Sequence, residues 1–335
     1  MKSFLASLEN IFPKNHKGSV VGIDIGTSSI KVVELEVVDE RSVLKNYGEI
    51  SLGALAGVET GKSVALSPEK LADALKEILR EAGIETKHAS FAMPFNASLL
   101  TVAELPDVGR KDLENMIPLE ARRYIPVPMD EVTIDWWVLP KRKNEIKAGT
   151  GEQGKGSLGK VEVIIAAIHN KVINNYESIK KQVGLSDEAS HFEIEIFSTL
   201  RAVVGGDLAT TLVVDIGAAG TKLTLVDDGI VRGSHVVSMG GQDVTLALAR
   251  ALVLPFSEAE NIKCGAGIAG EAQAVQVRTA CETYFSRTLN ETKHFIENYE
   301  HKYDTKIKKI ILVGGGAALQ GVDKKFEETF PNTSV

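Results

Sequence analysis

The sequence predicts an α/β protein of two lobes with an inserted subdomain, and three observations carry that expectation. A strand–turn–strand block with the pattern Asp-Ile-Gly-x4-Lys occurs near the start (Asp24, Gly26, Lys31) and again mid-chain (Asp215, Gly217, Lys222). A buried-type strand, Ile310-Ile311-Leu312-Val313, runs into Gly314, Gly315 and Gly316 near the end. Between the two hairpins, residues 86–186 alternate strand and helix patterns of their own. Internal self-similarity marks a repeated supersecondary unit, so the two hairpins imply two homologous lobes, each presenting a loop to the other.

The composition allows this architecture. The 335 residues are 44% hydrophobic and 25% charged, an ordinary globular balance that excludes wholesale disorder and fibrous structure. At about 100–200 residues per domain, the length fits two or three domains. A net charge of −7 gives no general electrostatic reason to bind nucleic acid. The two cysteines, Cys264 and Cys281, lack zinc-finger spacing and cannot staple a chain of this size; they read as reduced thiols in an intracellular protein. No apolar run approaches the roughly 18–20 residues of a membrane helix, and the N-terminus has no continuous signal-peptide stretch.

Taken in order, residues 1–17 place Phe4, Leu5, Leu8, Ile11 and Phe12 at helical spacing, and Pro13 stops the pattern. This amphipathic segment is expected to pack on its own domain, with contact to a membrane or a partner as the alternative. Residues 20–24 and 30–38 are the strands of the first hairpin, joined by Gly26-Thr27-Ser28-Ser29. Ser67 and Pro68 open a helix with a stripe of Leu71, Ala74, Leu75, Ile78 and Leu79, ended by Gly83. Residues 89–105 read as strand, 112–124 as helix, 133–139 and 161–168 as strands, and 171–183 as helix. Residues 141–160, basic and glycine-rich with almost nothing apolar, read as a solvated hairpin loop rather than a basic contact patch. A second strand–turn–strand block covers 211–238. A helix follows at 241–252, a helix-rich stretch at 257–303, a strand at 308–313 and a last helix at 321–330. Gly61-Lys62-Ser63 resembles the end of a phosphate-binding P-loop, but Ala56 stands where its first glycine belongs and Pro68 delays the following helix. It reads as a glycine-rich surface turn.

The duplicated loop has the chemistry of a nucleotide site. Gly26 and Gly217 let the backbone turn sharply and approach a ligand. Successive N–H groups in such a turn make an anion-binding concavity, to which Thr27, Ser28 and Ser29 add hydroxyls. Asp24 and Asp215, at strand ends, suit a hydrated Mg²⁺, which takes few carboxylates. Lys31 has the reach of a point charge on a terminal phosphate. The glycines at 314–316 offer side-chain-free backbone to a flat adenine or its ribose.

In combination these segments resemble the phosphate-1, phosphate-2 and adenosine motifs of the actin/Hsp70/hexokinase superfamily. More narrowly, the chain resembles the PilM family of type IV pilus assembly proteins, relatives of the division protein FtsA. That match rests on Glu104-Leu105-Pro106, on Glu120-Ala121-Arg122-Arg123-Tyr124-Ile125-Pro126-Val127-Pro128, on Gly240-Gly241-Gln242-Asp243-Val244-Thr245, and on Ala259-Glu260-Asn261-Ile262-Lys263. It spans about residues 19–330. Two positions depart from the pattern: Pro118 interrupts the middle helix, where a kink is expected, and Lys222 stands where the family more often has a small polar residue. The end at Val335 falls short of the family's usual final strand and suggests truncation.

The resemblance implies a two-lobed actin-like (RNase H-like) fold with an FtsA/PilM-type inserted subdomain. It divides the chain into an N-terminal segment (1–18), lobe 1 (19–85 and 187–208), an inserted subdomain (86–186), lobe 2 (209–256 and 304–335) and a helical subdomain (257–303). It implies ATP and Mg²⁺ in the cleft between lobes. Asp24 and Asp215 would face the metal. Gly26, Thr27, Ser28, Lys31, Gly217 and Thr221 would hold phosphates, Glu260 and Lys263 the ribose and adenine, and Gly314, Gly315 and Gly316 the adenosine. Glu195 falls where the family places an acidic residue facing the metal or the attacking water, making Glu195, Asp215 and Lys31 the candidate catalytic groups. With no arginine in these loops, hydrolysis by the isolated chain is expected to be weak or absent. The implied partner is the N-terminal peptide of a PilN-like inner-membrane protein, held beside the middle unit, together with other pilus assembly proteins and with self-association left open. The implied location is the cytoplasm, at the inner face of the membrane, reached through partners. An FtsA-like division protein and a small-molecule kinase with Asp215 as general base are the alternatives.

Overall fold

A computed structural model describes residues 18–39, 41–141, 159–187, 190–266 and 275–335. The amphipathic segment 1–17 lies outside them, as does the expected basic loop apart from Lys141, Gly159 and Lys160.

The first hairpin forms as read: β1 (Ser19–Ile25) and β2 (Ser29–Val38) are joined by a tight turn. β3 (Arg41–Ser51) follows directly and was not legible as a strand. A short helical turn at Leu52–Leu55 and a loop lead to α1 (Pro68–Glu81). Ser67 caps α1 with Pro68 at the first position, and Ala74, Leu75, Ile78 and Leu79 form its buried stripe.

β4 (Ala89–Met93) pairs in parallel with β1 and with β8 (His191–Ile194), giving a five-stranded sheet of order β3-β2-β1-β4-β8. β5 (Ser98–Pro106) belongs to a different, antiparallel sheet of order β5-β7-β6, with β6 at Val132–Val138 and β7 at Lys160–His169. The single strand expected over 89–105 is therefore two strands in two sheets. Pro94 and the 3₁₀ turn Phe95–Ala97 break it, because proline cannot donate to a continuing ladder. In the three-stranded sheet β7 is central, and Val163 to Ile168 are all buried. α2 (Arg110–Ala121) covers the sheet with Leu113, Ile117 and Ala121 and runs through Pro118 to its last turn. α3 (Asn170–Val183) ends at Gly184 in the left-handed region and seats Tyr176 against Phe91 and Phe192.

α4 (Glu195–Val203) precedes a four-stranded sheet of order β11-β10-β9-β12. Its strands are β9 (Thr211–Ile216), β10 (Thr221–Asp227), β11 (Ile230–Val237) and β12 (Lys309–Val313). α5 (Gly241–Leu252), α6 (Phe256–Ala266), the long α7 (Val275–Tyr303) and α8 (Val322–Thr329) complete the chain. The 257–303 stretch, expected as a subdomain of its own, shares one core with this sheet. Tyr284, Phe285 and Leu289 pack with Leu212, Val214, Val244, Leu248 and Phe326.

The chain divides into two compact units. One holds the described residues up to Asp24, Val33–Asn46 and Ile84–Thr199; the other holds Ile25–Val32, Tyr47–Gly83 and Leu200–Val335. The tip of the first hairpin thus belongs to the same compact unit as the second hairpin and the glycine-ended strand β12.

Candidate functional site

The two hairpin turns are built alike. Gly26 N donates to Ser29 O at 3.0 Å, and Gly217 N donates to Gly220 O at 2.9 Å. The repeat read from Asp-Ile-Gly-x4-Lys is therefore a repeat of backbone geometry. The two lysines diverge. Lys222 lies directly opposite Asp215 in the β9–β10 ladder, and its Nζ donates to Asp215 Oδ2 at 3.1 Å. Lys31 turns instead to Ser29 Oγ (2.6 Å) and Glu49 (3.1 Å), with both charged side chains more than half exposed. A hydrogen bond from Ser29, with Lys31 adding to it, holds the Glu49 carboxyl below the usual glutamate range. A pair this exposed is worth little, so Lys31 is easily recruited elsewhere.

The glycines after β12 divide by role. Val313 pairs with Asp215 in the parallel β12–β9 ladder, which brings the chain that follows against the end of β9. Gly314 sits at φ +83°, and a Cβ there would lie 2.4 Å from Asp215 Oδ1 and 2.6 Å from Ile216 O. A Cβ on Gly316 would lie 2.2 Å from Ile216 Cγ2. Gly315 is exposed and faces open space. Gly314 and Gly316 are thus required by packing on the end of β9, and Gly315 is not.

The first turn of α5 is stacked on the second hairpin turn. Gly241 N donates to Gly217 O (2.8 Å) and Gln242 N to Ala218 O (2.9 Å). Asp243 Oδ2 reaches back to Gly240 N at 2.8 Å, closing the helix start. Glu260 and Lys263 come together as expected, but Lys263 is buried and fully engaged. Its Nζ donates to Glu260 Oε2 (2.7 Å), Thr245 Oγ1 (3.0 Å) and Gly241 O (3.2 Å). Thr221 is also buried, its hydroxyl donated to Met239 O at 2.9 Å. These two residues brace the second loop and the start of α5.

In the other compact unit, Asp24, next to last in β1, is in register with Ala92 of β4, and Ala92 is in register with Glu193 of β8. Glu195 opens α4 and accepts the Phe95 amide at 2.6 Å. Burial, with the Asp24 and Glu195 carboxylates adding to it, pushes the Tyr176 phenol above its ordinary range. Asp24 and Glu195 therefore both lie within electrostatic reach of one buried hydroxyl. Among the described residues, no group of three or more His, Cys, Asp or Glu side chains gathers as a metal site, and no helix is long and apolar enough to cross a membrane.

Sequence reasoning missed the loop at 59–64. It turns at Thr60 and Gly61, as read, but is half-buried. Ser63 N donates to Gln242 Oε1 at 2.5 Å, and Val64 N donates to Thr27 O at 2.8 Å. The Gly61-Lys62-Ser63 tripeptide fails the P-loop spacing and reads only as a glycine-rich surface turn. The signal that could have found it is the pair of half-buried-type residues, Ser63 and Val64, between a hairpin and a capped helix.

With this geometry in place, the comparisons with known proteins are direct. The sequence profile of the family described as type IV pilus assembly protein PilM matches residues 22–334. The cell division protein FtsA of Streptococcus pneumoniae serotype 2 is 22% identical, over 94% of this chain and 74% of its own length. A solved PilM-PilN type IV pilus biogenesis complex contains a chain that superposes with a TM-score of 0.74 at 23% identity, covering 96% of this chain and 91% of that one. MreB5 of Spiroplasma citri bound to ADP superposes with a TM-score of 0.51 at 13% identity, covering 95% and 91%. These structures establish the actin-like α/β fold with an inserted subdomain.

Proposed function

The chain belongs to the PilM family of type IV pilus assembly proteins, and on that premise we propose that it binds Mg·ATP and, through it, adjusts its grip on a PilN-like partner. The observation that carries the nucleotide half is the pair of identically closed turns, Gly26 to Ser29 and Gly217 to Gly220, with Gly314 packed on Asp215. The donor set fits the ligand. Turns of this kind aim backbone N–H groups at phosphate oxygens, and the open space at Gly315 admits a flat group against the backbone. Asp215 would hold the metal through its carboxylate, with the rest of its shell from water and phosphate. Bound there, Mg²⁺ would offset charge on the phosphates. Thr27 and Ser28 would hold phosphate oxygens. Glu195 would orient a water, a role consistent with its fixed position on the Phe95 amide. Glu260 would line the ribose side, with Lys263 holding it in place.

Three outcomes test this. Titration calorimetry with Mg·ATP should give one site, and Asp215→Ala should abolish it; unaltered heat in that variant would refute the assignment. Gly315→Ala should leave the melting temperature unchanged, since a Cβ there meets nothing, yet weaken Mg·ATP about tenfold or more. Phosphate release by the isolated chain should stay far below one per second, because the loops contain no arginine finger, which elsewhere is worth about 10³–10⁵ in rate. Turnover at tens per second would contradict it.

The partner half rests on family membership and on similarity to the chain from the PilM-PilN complex. The partner would offer an extended N-terminal peptide, adding main-chain hydrogen bonds along an edge and filling apolar pockets. The chain would then work in the cytoplasm and reach the membrane through that peptide. Fluorescence anisotropy with a labelled N-terminal peptide of the cognate PilN-like protein should show binding. Asp215→Ala should change it only by a coupling of about 1–3 kcal/mol. Complete loss in that variant would place the peptide on the nucleotide loops instead.

A further inference from the structure

We propose that the loop at 59–64 is a strap that fixes the two phosphate loops relative to each other, with Ser63 and Gln242 as positioning residues for nucleotide. The proposal rests on the nucleotide reading above and goes beyond it, because neither residue belongs to the phosphate, ribose or metal set. Every residue of the strap and of its anchor points lies within one compact unit.

A continuous hydrogen-bonded path runs from one turn to the other. Thr27 O accepts from Val64 N (2.8 Å), and the Thr27 and Ser63 hydroxyls lie 3.2 Å apart. Ser63 N donates to Gln242 Oε1 (2.5 Å), and Gln242 N donates to Ala218 O in the phosphate-2 turn (2.9 Å). The strap is also rooted behind the first turn. Leu52 N donates to Ser28 O (2.9 Å), and Val58 N folds back onto Gly53 O (2.9 Å). Gly53 is needed there: a Cβ would lie 2.5 Å from Glu59 O. A second anchor holds the helix that carries Glu260 and Lys263. Glu59 Oε1 accepts from Ser257 N (3.1 Å) in the first turn of α6, and Lys62 Nζ stands 5.0 Å over the Phe256 ring.

The consequence for a ligand follows from peptide geometry. In a trans peptide the C=O and the next N–H point in opposite directions, and no cis peptide bond occurs here. Val64 N of the strap and Leu52 N behind it hold the carbonyls of Thr27 and Ser28, so the N–H groups of Ser28 and Ser29 are directed to the opposite side. Those are the amides expected to receive phosphate oxygens. Gln242 matters because one residue ties the strap to the phosphate-2 turn: its side chain holds Ser63 and its main chain holds Ala218.

The test uses the full chain and two substitutions at one position. Gln242→Leu removes the acceptor at similar volume; Gln242→Glu keeps an oxygen for the Ser63 amide. Hydrogen exchange without nucleotide should rise over residues 59–66 in Gln242→Leu and stay at the wild-type level in Gln242→Glu. Mg·ATP should bind Gln242→Leu about tenfold more weakly and Gln242→Glu within about twofold of wild type. Glu59→Ala, which releases the α6 anchor and the Glu59–Lys62 ion pair within the strap, should shift both readouts the same way by less and serves if Gln242→Leu does not fold. Unchanged exchange in Gln242→Leu would overturn the strap itself. Raised exchange with unchanged Mg·ATP affinity would leave a strap with no positioning role and overturn the proposal. No Mg·ATP binding by wild type would sink the nucleotide reading, and the positioning role with it, while the exchange data still report on the strap.

Discussion

Gly240→Ala is expected to destabilise the chain by about 3 kcal/mol or more and to remove Mg·ATP binding together with it. A Cβ at this position would stand 2.2 Å from Ala218 O, 2.4 Å from Ala218 C and 2.4 Å from Gly220 N. All three atoms are backbone of the second hairpin turn, so no side chain can swing aside to relieve the collision. The effect is steric and not conformational, since Gly240 sits at φ −132°, where any residue is comfortable. The turn must move, and it takes with it the bonds from Gly241 N to Gly217 O and from Gln242 N to Ala218 O. A loss of that size in a chain of this length lowers the melting temperature by about 4 °C or more. A thermal melt checks it, with Gly315→Ala as the control that adds the same methyl into open space. A Gly240→Ala protein melting with the wild type would mean that the turn yields at no cost, and that α5 is not what holds its shape.

The glycines explain much of what was legible in the sequence. A glycine required by close packing leaves a mark in the string: a Cβ would crowd a turn carbonyl at Gly26 and Gly217 and would collide with Asp215 or Ile216 at Gly314 and Gly316, and all four fall on the loops where they were expected. The hairpins around them were legible for the same reason, since Val213, Val214, Leu223 and Leu225 are fully buried and read as apolar runs. Other parts left no such mark. β3 is an edge strand whose residues are mostly exposed, so its pattern is polar and irregular and carries no period of two. The break between β4 and β5 hides in an apolar run, because each half is buried in a different sheet. Thr221 and Lys263 carry the residue types of ligand contacts, but their polar atoms are spent on Met239 O, Thr245, Glu260 and Gly241 O. Residue type and spacing identify which segment stands at a site; only the hydrogen-bond partners decide which side chain faces the ligand. The 59–64 strap is the converse case. Its tripeptide failed the P-loop spacing, and the contacts that give it a role are made by residues far away in sequence, Gln242 and Ser257.

Glu34→Ala is the second large effect expected, on stability and on its pH dependence, and its origin lies at the base of the first hairpin. Glu34 is 1% exposed in the middle of β2. Its carboxylate accepts from Ser19 Oγ (2.5 Å) and Asn46 Nδ2 (2.6 Å), with Lys45 Nζ at 3.5 Å. One buried acid therefore ties β1, β2 and β3 side by side, beneath the turn that carries Gly26. Burial works to raise its pKa, but the hydrogen bonds from Ser19 and Asn46 and the charge of Lys45 outweigh it and hold the group below the ordinary glutamate value. A carboxyl with a lowered folded-state pKa contributes stability that is fully present above its unfolded value. That contribution is lost as pH falls through the folded value. Wild type should therefore lose stability steeply on acidification below about pH 4.3. Alanine leaves the Ser19 hydroxyl and the Asn46 amide without this acceptor and a cavity in the sheet. The cost should be about 3 kcal/mol at pH 7, shrinking at low pH as the wild type forfeits its own advantage. Glu34→Gln, which keeps the shape and one acceptor oxygen, should lose less and show a flatter acid limb. Urea unfolding at pH 7 and at pH 4 measures all three proteins. Equal stability differences at the two pH values would show that the charge of Glu34 contributes nothing and that only its volume matters.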